Sequence, residues 1–257
     1  MRAVWAREAR TLLAYERKAA SMCEATLFVS EAEARRFVEL APEAALRVDW
    51  VENGVDLERF SPEFASASPY DGEGPVVVFT GNMDYWPNAD AVTWLSEAVW
   101  PAVRQSWPAA EFWIVGANPT AQVRSLAARP GVRVTGRVAD TRPYLAHAEV
   151  CVCPLRIARG IQNKVLEGMA MGRPVVATPA AFEGVRAVAG RDLLVAEGAE
   201  AFGRAIDAVL RGWYAEMPQF ARLAMETGLR VVWGADAVGW AFGVKVRPGL
   251  CPGPAGA

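Results

Sequence analysis

Polar groups cluster in residues 154–178, which read Pro-Leu-Arg-Ile-Ala-Arg-Gly-Ile-Gln-Asn-Lys-Val-Leu-Glu-Gly-Met-Ala-Met-Gly-Arg-Pro-Val-Val-Ala-Thr. Gly160 and the residues after it offer backbone N–H groups at the start of a helix. Lys164 adds a cation in the first turn, where the helix dipole alone disfavours one. An anionic ligand resolves that conflict. Glu167 follows three residues later on the same helix face, so a cation for phosphate and a carboxylate for hydroxyl groups point in similar directions. A plain Lys164–Glu167 surface pair fits the spacing equally well. A second candidate is the stretch Gly81-Asn82-Met83-Asp84-Tyr85-Trp86-Pro87-Asn88, which joins an apolar run to a helix. Gly81 lets backbone approach a ligand, and the helix that follows favours a phosphate. A glycine that merely turns the chain reads the same way. Neither stretch is a G-x-G-x-x-G fingerprint, and no Walker sequence occurs.

Other reactive side chains carry less. Asp84 and Glu183 are candidates for an acid–base pair, but nothing sequential brings them together, and solvated loop residues are the favoured reading. His147, the single histidine, ends a short helix before a strand, which suits packing better than catalysis. Cys23, Cys151, Cys153 and Cys251 are scattered and read as free thiols. No spacing suggests a metal site, so the reduced cytosol is the expected compartment.

These groups must be held by a folded chain. Of the 257 residues, 53% are apolar and 22% charged, with a formal net charge of −2. That composition is globular and lacks the basic surplus of a dedicated nucleic-acid binder. No signal peptide or membrane-spanning run occurs. The N-terminus mixes Arg and Lys with Trp5, Leu12, Leu13 and Tyr15 at helical spacing. Packing against a neighbouring element is its favoured fate, and attachment to an anionic membrane surface is the alternative.

Periodicity predicts a helix over 2–21, a strand over 25–29, a helix opened by a Ser30/Glu33 capping box, and a strand over 47–51 ending at Asn53-Gly54. Residues 57–74 turn to Ser, Pro, Ala and Gly and read as a linker. Strands over 75–80, 111–115, 132–135, 149–154, 174–178 and 192–195 then alternate with helices over 88–107, 121–128, 141–147, 163–171 and 199–211. This order predicts an α/β fold, a parallel sheet with helices on both faces. The expected organisation is a first unit over 1–56, the linker, an α/β domain over 75–211, a helical segment over 212–246 with a helix at 217–227, and an unfolded Pro/Gly tail over 247–257. Ligands of such sheets bind at the carboxyl ends of the strands, where both candidate loops fall.

Residues 160–178 resemble the donor-site motif of GT-B family-4 glycosyltransferases, especially the sugar transferases of exopolysaccharide systems. Val29-Ser30-Glu31-Ala32-Glu33, the run Asn53-Gly54-Val55-Asp56-Leu57-Glu58-Arg59-Phe60-Ser61-Pro62, Phe79-Thr80-Gly81-Asn82-Met83 and Gly136-Arg137-Val138-Ala139-Asp140 look like family landmarks in the same order. The match covers residues 2–211. It implies a GT-B, Rossmann-like domain plus the remnant of a second α/β domain, the end of the family's acceptor half. It also implies that Glu167 binds ribose hydroxyls, that Lys164 and the Gly81 loop with Asn82 face a diphosphate, and that Gly160, Ile161 and Gln162 lie beside the donor sugar. Arg159 stands where many relatives carry a glutamate.

The implied reaction is retaining, metal-independent transfer from a nucleotide-diphosphate sugar to a glycan or lipid-linked acceptor, with no cofactor. Lys164 stabilises the leaving charge, Arg159 assists, and Arg156 is a weaker candidate. The expected setting is the cytoplasm, with peripheral membrane association open. Trp86, Trp94, Trp100, Trp107 and Trp113 invite a sugar-stacking reading, though most read as core or half-buried aromatics. A noncatalytic nucleotide-binding fragment and a nucleotide-sugar epimerase of GT-B architecture are the alternatives.

Overall fold

The structure is a computed structural model and describes residues 2–158 and 160–212. The helix expected at 217–227, the tail at 247–257 and Cys251 lie outside the described residues. The described residues form two compact units, 2–53 and 54–212. Among them, no helix is long and apolar enough to cross a membrane.

The first unit runs α1 (Arg2–Met22), β1 (Thr26–Phe28), α2 (Glu31–Leu40), a 3-10 stretch (Pro42–Arg47) and β2 (Val48–Trp50). β1 and β2 pair in parallel, Thr26 opposite Val48. Ser30 opens α2 as expected, its Oγ accepting from the Glu33 N–H at 3.2 Å. Only half of the capping box forms, because the Ser30 hydroxyl turns its proton to the Glu33 carboxylate at 3.3 Å. A small core of Ala20, Phe37, Ala41 and Ala44 takes in Leu13, Phe28 and Val48. α1 thus packs through Leu13 and Ala20, while Trp5 and Tyr15 each stay 69% exposed.

The second unit carries six parallel strands: β3 (Val76–Thr80), β4 (Glu111–Val115), β5 (Val132–Gly136), β6 (Val150–Cys153), β7 (Val175–Ala177) and β8 (Leu194–Val195). Their spatial order is β5-β4-β3-β6-β7-β8. Every residue of β3, β6 and β7 is buried, so the centre of the sheet is covered on both faces, as continuous apolar strands require. Both cysteines of β6 are free thiols, and burial raises their pKa values, Cys151 to about 12 and Cys153 to about 11.

The helices differ in detail from the periodicity. The single helix expected at 88–107 is α3 (Trp86–Trp94), a π-helical turn (Leu95–Val99) and α4 (Trp100–Ser106). Pro101 explains the break: its ring removes an N–H and clashes with the preceding turn, and a wider turn relieves the clash. The helix expected at 121–128 tightens from α5 (Ala121–Ser125) into a 3-10 turn (Leu126–Ala128). After α6 (Arg142–His147) and α7 (Asn163–Ala170) comes α8 (Pro179–Phe182), a short helix that the periodicity does not predict, with Thr178 as its cap. α9 (Ala199–Leu210) closes the unit.

Residues 57–74 form no helix or strand, yet they are pinned to the second unit. Tyr70 packs against Trp113 with ring centroids 5.0 Å apart and donates its hydroxyl proton to Tyr144 O at 2.5 Å. His147 Nε2 meets Ser66 O at 2.9 Å, so the single histidine packs this segment.

The chain steps outward from β3 to β4 and β5, then returns to the other side of β3 as β6. Between β3 and β6 lies the topological switch point, and its carboxyl end is bounded by the loops after those two strands. α7 is seated beside it by Gly168, where a Cβ would meet Val175 Cγ2 at 3.0 Å and Cys151 Cβ at 3.1 Å. The C-terminal end of α7 is fixed by two bonds, Gly172 N–H to Met169 O at 2.9 Å and Arg173 N–H to Gly168 O at 3.0 Å. They form a Schellman motif around Gly172, whose φ of +66° suits glycine. A Gly168→Val substitution overfills this contact and is expected to lower unfolding free energy by about 1–3 kcal/mol, read from the urea midpoint.

Candidate functional site

Both candidate loops converge on the β3/β6 crevice. The first leaves β3 at Gly81 and is templated by the loop after β4. Gly81 N–H donates to Val115 O at 3.0 Å and Met83 N–H to Ala117 O at 2.8 Å. Gly116, at φ +151°, approaches so closely that a Cβ there would sit 1.7 Å from Gly81 O. Asn118, in the left-handed region at φ +55°, donates from Nδ2 to Asn82 Oδ1 at 3.2 Å and to Asp84 Oδ2 at 3.1 Å. Asp84 is therefore a loop anchor. The loop ends at α3, where the N-cap Tyr85 and the first residue Trp86 are each 57% exposed. The other four tryptophans named above are buried or half-buried: Trp100 lies within the core and Trp94, Trp107 and Trp113 pack against it.

The second loop leaves β6 at Pro154 and enters α7. Thr178 at the end of β7 is buried, and its hydroxyl bonds Leu155 O while capping Ala181 N–H at 3.3 Å. The last residue of the motif thus holds the start of the loop. Gly160 takes φ +67°, and Gln162 Nε2 donates to Gly160 O at 3.0 Å. Ile161 is buried. Gln162, at the N-cap of α7, does not cap it with its side chain, and the first turn holds no acidic residue. The dipole at this end of α7 is thus matched by neither a Gln162 side-chain cap nor an acidic residue of the first turn.

Lys164, in that first turn, joins the two loops. Its Nζ donates to Asn88 Oδ1 at 3.1 Å and sits 5.2 Å from the Phe79 ring centroid, a cation–π distance. Asn88 in turn donates from Nδ2 to Asn82 O at 2.9 Å. Gly81, Asn82 and Lys164 are thus brought together through a residue to which the sequence alone assigns no role. The signal for it is a polar amide in a helix first turn beside Pro87.

Glu167, one turn along α7, has its carboxyl pushed above the usual range by burial, against the pull of Lys164 and then Arg59. Arg59 comes from the Asn53–Pro62 landmark, in a turn where Asp56 Oδ1 accepts from the Glu58 and Arg59 N–H groups at 3.0 Å each. Arg142 fastens this turn, donating to Arg59 O at 3.3 Å with its guanidinium 4.4 Å from the Phe64 ring centroid. It also bonds Asp140 at 2.6 Å and holds that carboxyl below its ordinary pKa. The landmark gives Arg59 no role of its own; its nearness to Glu167 depends on the fold.

Arg159 lies outside the described residues. Arg156 is ion-paired with Asp90, its Nε 3.0 Å from Asp90 Oδ2, so its charge is already matched. Glu183 is exposed.

A carboxyl whose pKa is raised by folding favours the fold below its unfolded value, and that contribution is lost as pH rises through the folded value. Burial makes Glu167 such a group, so the ionised side chain opposes folding at neutral pH. The uncharged isostere Glu167→Gln is expected to melt higher than the unaltered chain at pH 7. The gap should close as pH falls toward the ordinary glutamate range, and paired melting curves at pH 7 and 4.5 check this.

No curated protein matches the chain. Among solved structures it superposes on sucrose-phosphate synthase from Thermosynechococcus elongatus with a TM-score of 0.66, at 19% identity over 85% of this chain and 57% of that one. HepE from Anabaena, in complex with UDP and glucose, gives 0.62 at 16% identity over 84% and 61%. A glycosyltransferase from Rickettsia africae gives 0.61 at 16% identity over 79% and 57%. The chain spans 57–61% of the length of these structures, which share with it the GT-B type of α/β fold. The glycosyl transferases group 1 family matches residues 74–212, the part that contains the whole six-stranded sheet, and the chain belongs to that family.

Proposed function

We propose that this chain is a glycosyltransferase that binds a nucleotide-diphosphate sugar in the β3/β6 crevice and passes the sugar to a glycan or lipid-linked acceptor, in cell-surface or exopolysaccharide synthesis. The observation that carries the reading is the convergence of Lys164, the Gly81 loop and the uncapped start of α7 at the switch point. In this reading the diphosphate lies against Lys164 and the backbone of Gly81 and Asn82. Glu167 accepts hydrogen bonds from the ribose hydroxyls, and Gly160, Ile161 and Gln162 border the sugar. HepE was solved with UDP and glucose, a ligand pair of the class proposed.

Transfer is retaining and metal-independent in this proposal. The bond from the anomeric carbon to the diphosphate breaks as the acceptor oxygen bonds that carbon on the same face, and the acceptor proton passes to the departing phosphate. Lys164 and the α7 dipole, with Arg159 assisting, meet the charge that develops on the leaving group. The exposed Trp5 and Tyr15 of α1, interspersed with Arg7, Arg10 and Lys18, support peripheral contact with an anionic membrane on the cytoplasmic side. The second reading is that the chain binds nucleotide without turnover.

Isothermal titration with UDP, GDP and ADP tests the donor site. Lys164→Ala is expected to weaken diphosphate binding about tenfold or more, the worth of a charge-assisted hydrogen bond. Glu167→Ala should weaken the nucleoside and the diphosphate alike by about tenfold. Unchanged affinity in both variants would sink the assignment. With labelled donor and a lipid-linked acceptor, transfer supports the enzyme, binding without transfer supports the second reading, and donor interconversion without acceptor indicates an epimerase.

A further inference from the structure

Asn88 is 4% exposed and has a polar partner on each side of its amide. The chemistry of those partners leaves one orientation. An ammonium only donates, so the atom facing Lys164 Nζ at 3.1 Å is Oδ1. A carbonyl only accepts, so the atom facing Asn82 O at 2.9 Å is Nδ2. The amide is a one-way link from the α7 ammonium to the backbone of the Gly81 loop. Its own backbone is fixed separately, by Asn88 N–H donating to Tyr85 O at 2.9 Å in the first turn of α3.

Gly81 answers to the same residue. Its φ is not in the left-handed region, so the turn itself does not demand glycine. A Cβ at Gly81 would stand 2.9 Å from Asn88 Nδ2 and 3.3 Å from the Phe79 ring, so glycine clears the space that the amide occupies. The neighbouring cations hold carboxylates, Arg156 with Asp90 and Arg142 with Asp140. Lys164 is held by a neutral group. An amide fixes the ammonium in place without cancelling the charge that a diphosphate would meet.

We infer that Asn88 is a positioning residue for donor binding, aiming Lys164 at the diphosphate and tying it to the Gly81 loop without setting a carboxylate on the ammonium. This rests on the donor-site reading above. It predicts that a carboxylate of the same shape cannot replace the amide. Asn88→Asp would pair with Lys164, repel the diphosphate and lose the donor to Asn82 O. The fold should tolerate it, because an acidic residue in the first turn of α3 complements the helix dipole.

The experiment uses the full chain and whichever of UDP, GDP and ADP it binds, together with the matching free nucleoside. Asn88→Asp and Asn88→Ala should each lose about tenfold or more in diphosphate affinity, with nucleoside affinity within error of the unaltered chain and a cooperative melting transition, lowered by the lost buried hydrogen bonds, showing that each variant folds. In a Lys164→Met background, Asn88→Ala should cost clearly less than it does alone, since the residue acts chiefly through the ammonium. Equal losses for nucleoside and diphosphate, or losses that add in the double variant, overturn the inference and leave the donor site standing. If the unaltered chain binds none of the three diphosphates, the donor-site reading itself falls.

Discussion

The crevice depends on how near two backbone segments can come at the carboxyl end of a parallel sheet. At its β3 side, Gly116 lies against Gly81 O so closely that no side chain fits between them. At its β6 side, Gly168 lets α7 rest on Cys151 and Val175. These contacts are steric, and they set where everything polar can go. With α7 seated, its first turn points Lys164 across the strand ends toward β3. With the two loops in register, Asn82 O is in reach of an amide on α3. Charge and hydrogen bonding in the crevice are consequences of this packing.

The polar groups placed there work against folding. A lysine in the first turn of a helix opposes the helix dipole. A carboxyl pushed upward by burial sits one turn away, relieved only in part by Lys164 and Arg59. The ends of α7 show how differently folding and ligand binding treat a helix. Its C-terminal end is closed by a complete Schellman motif. Its N-terminal end has no side-chain cap from Gln162. A glycine can close a C-terminal end with backbone bonds alone, whereas an N-terminal end depends on a side chain or a ligand to meet its N–H groups.

Much of this architecture is legible in the residues. β3, β6 and β7 are continuous apolar runs, and their alternation with helices is enough to announce a doubly covered parallel sheet. Gly172 followed by Arg173-Pro174 marks the end of α7 for the same local reason. What the residues conceal is tertiary. Asn88 and Lys164 are 76 positions apart, and no spacing rule links them. Asn118 reads as an ordinary loop residue until its amide is seen between Asn82 and Asp84. Residues 57–74 have a linker's composition, yet they are fastened by Tyr70, through two aromatic neighbours and one hydroxyl bond, and by His147 and Arg142. Pro101 is visible in the sequence, but whether it kinks a helix or widens a turn depends on how the surrounding residues pack.

The second unit also distributes its cations in a way that bears on recognition. Arg133 lies on Glu111 at 2.8 Å, Arg142 on Asp140 at 2.6 Å, and Arg191 on Asp192 at 2.7 Å. Each of these guanidiniums faces a carboxylate, and the pair presents little net field to an incoming phosphate. Lys164 is bonded to an amide and lies over an aromatic face, partners that orient a cation without neutralising it. An ammonium suits this better than a guanidinium, because its charge is compact and a single acceptor can fix its direction. In the proposed donor site, Asn88 and Phe79 would thus set the position of the cation, with no carboxylate bonded to it.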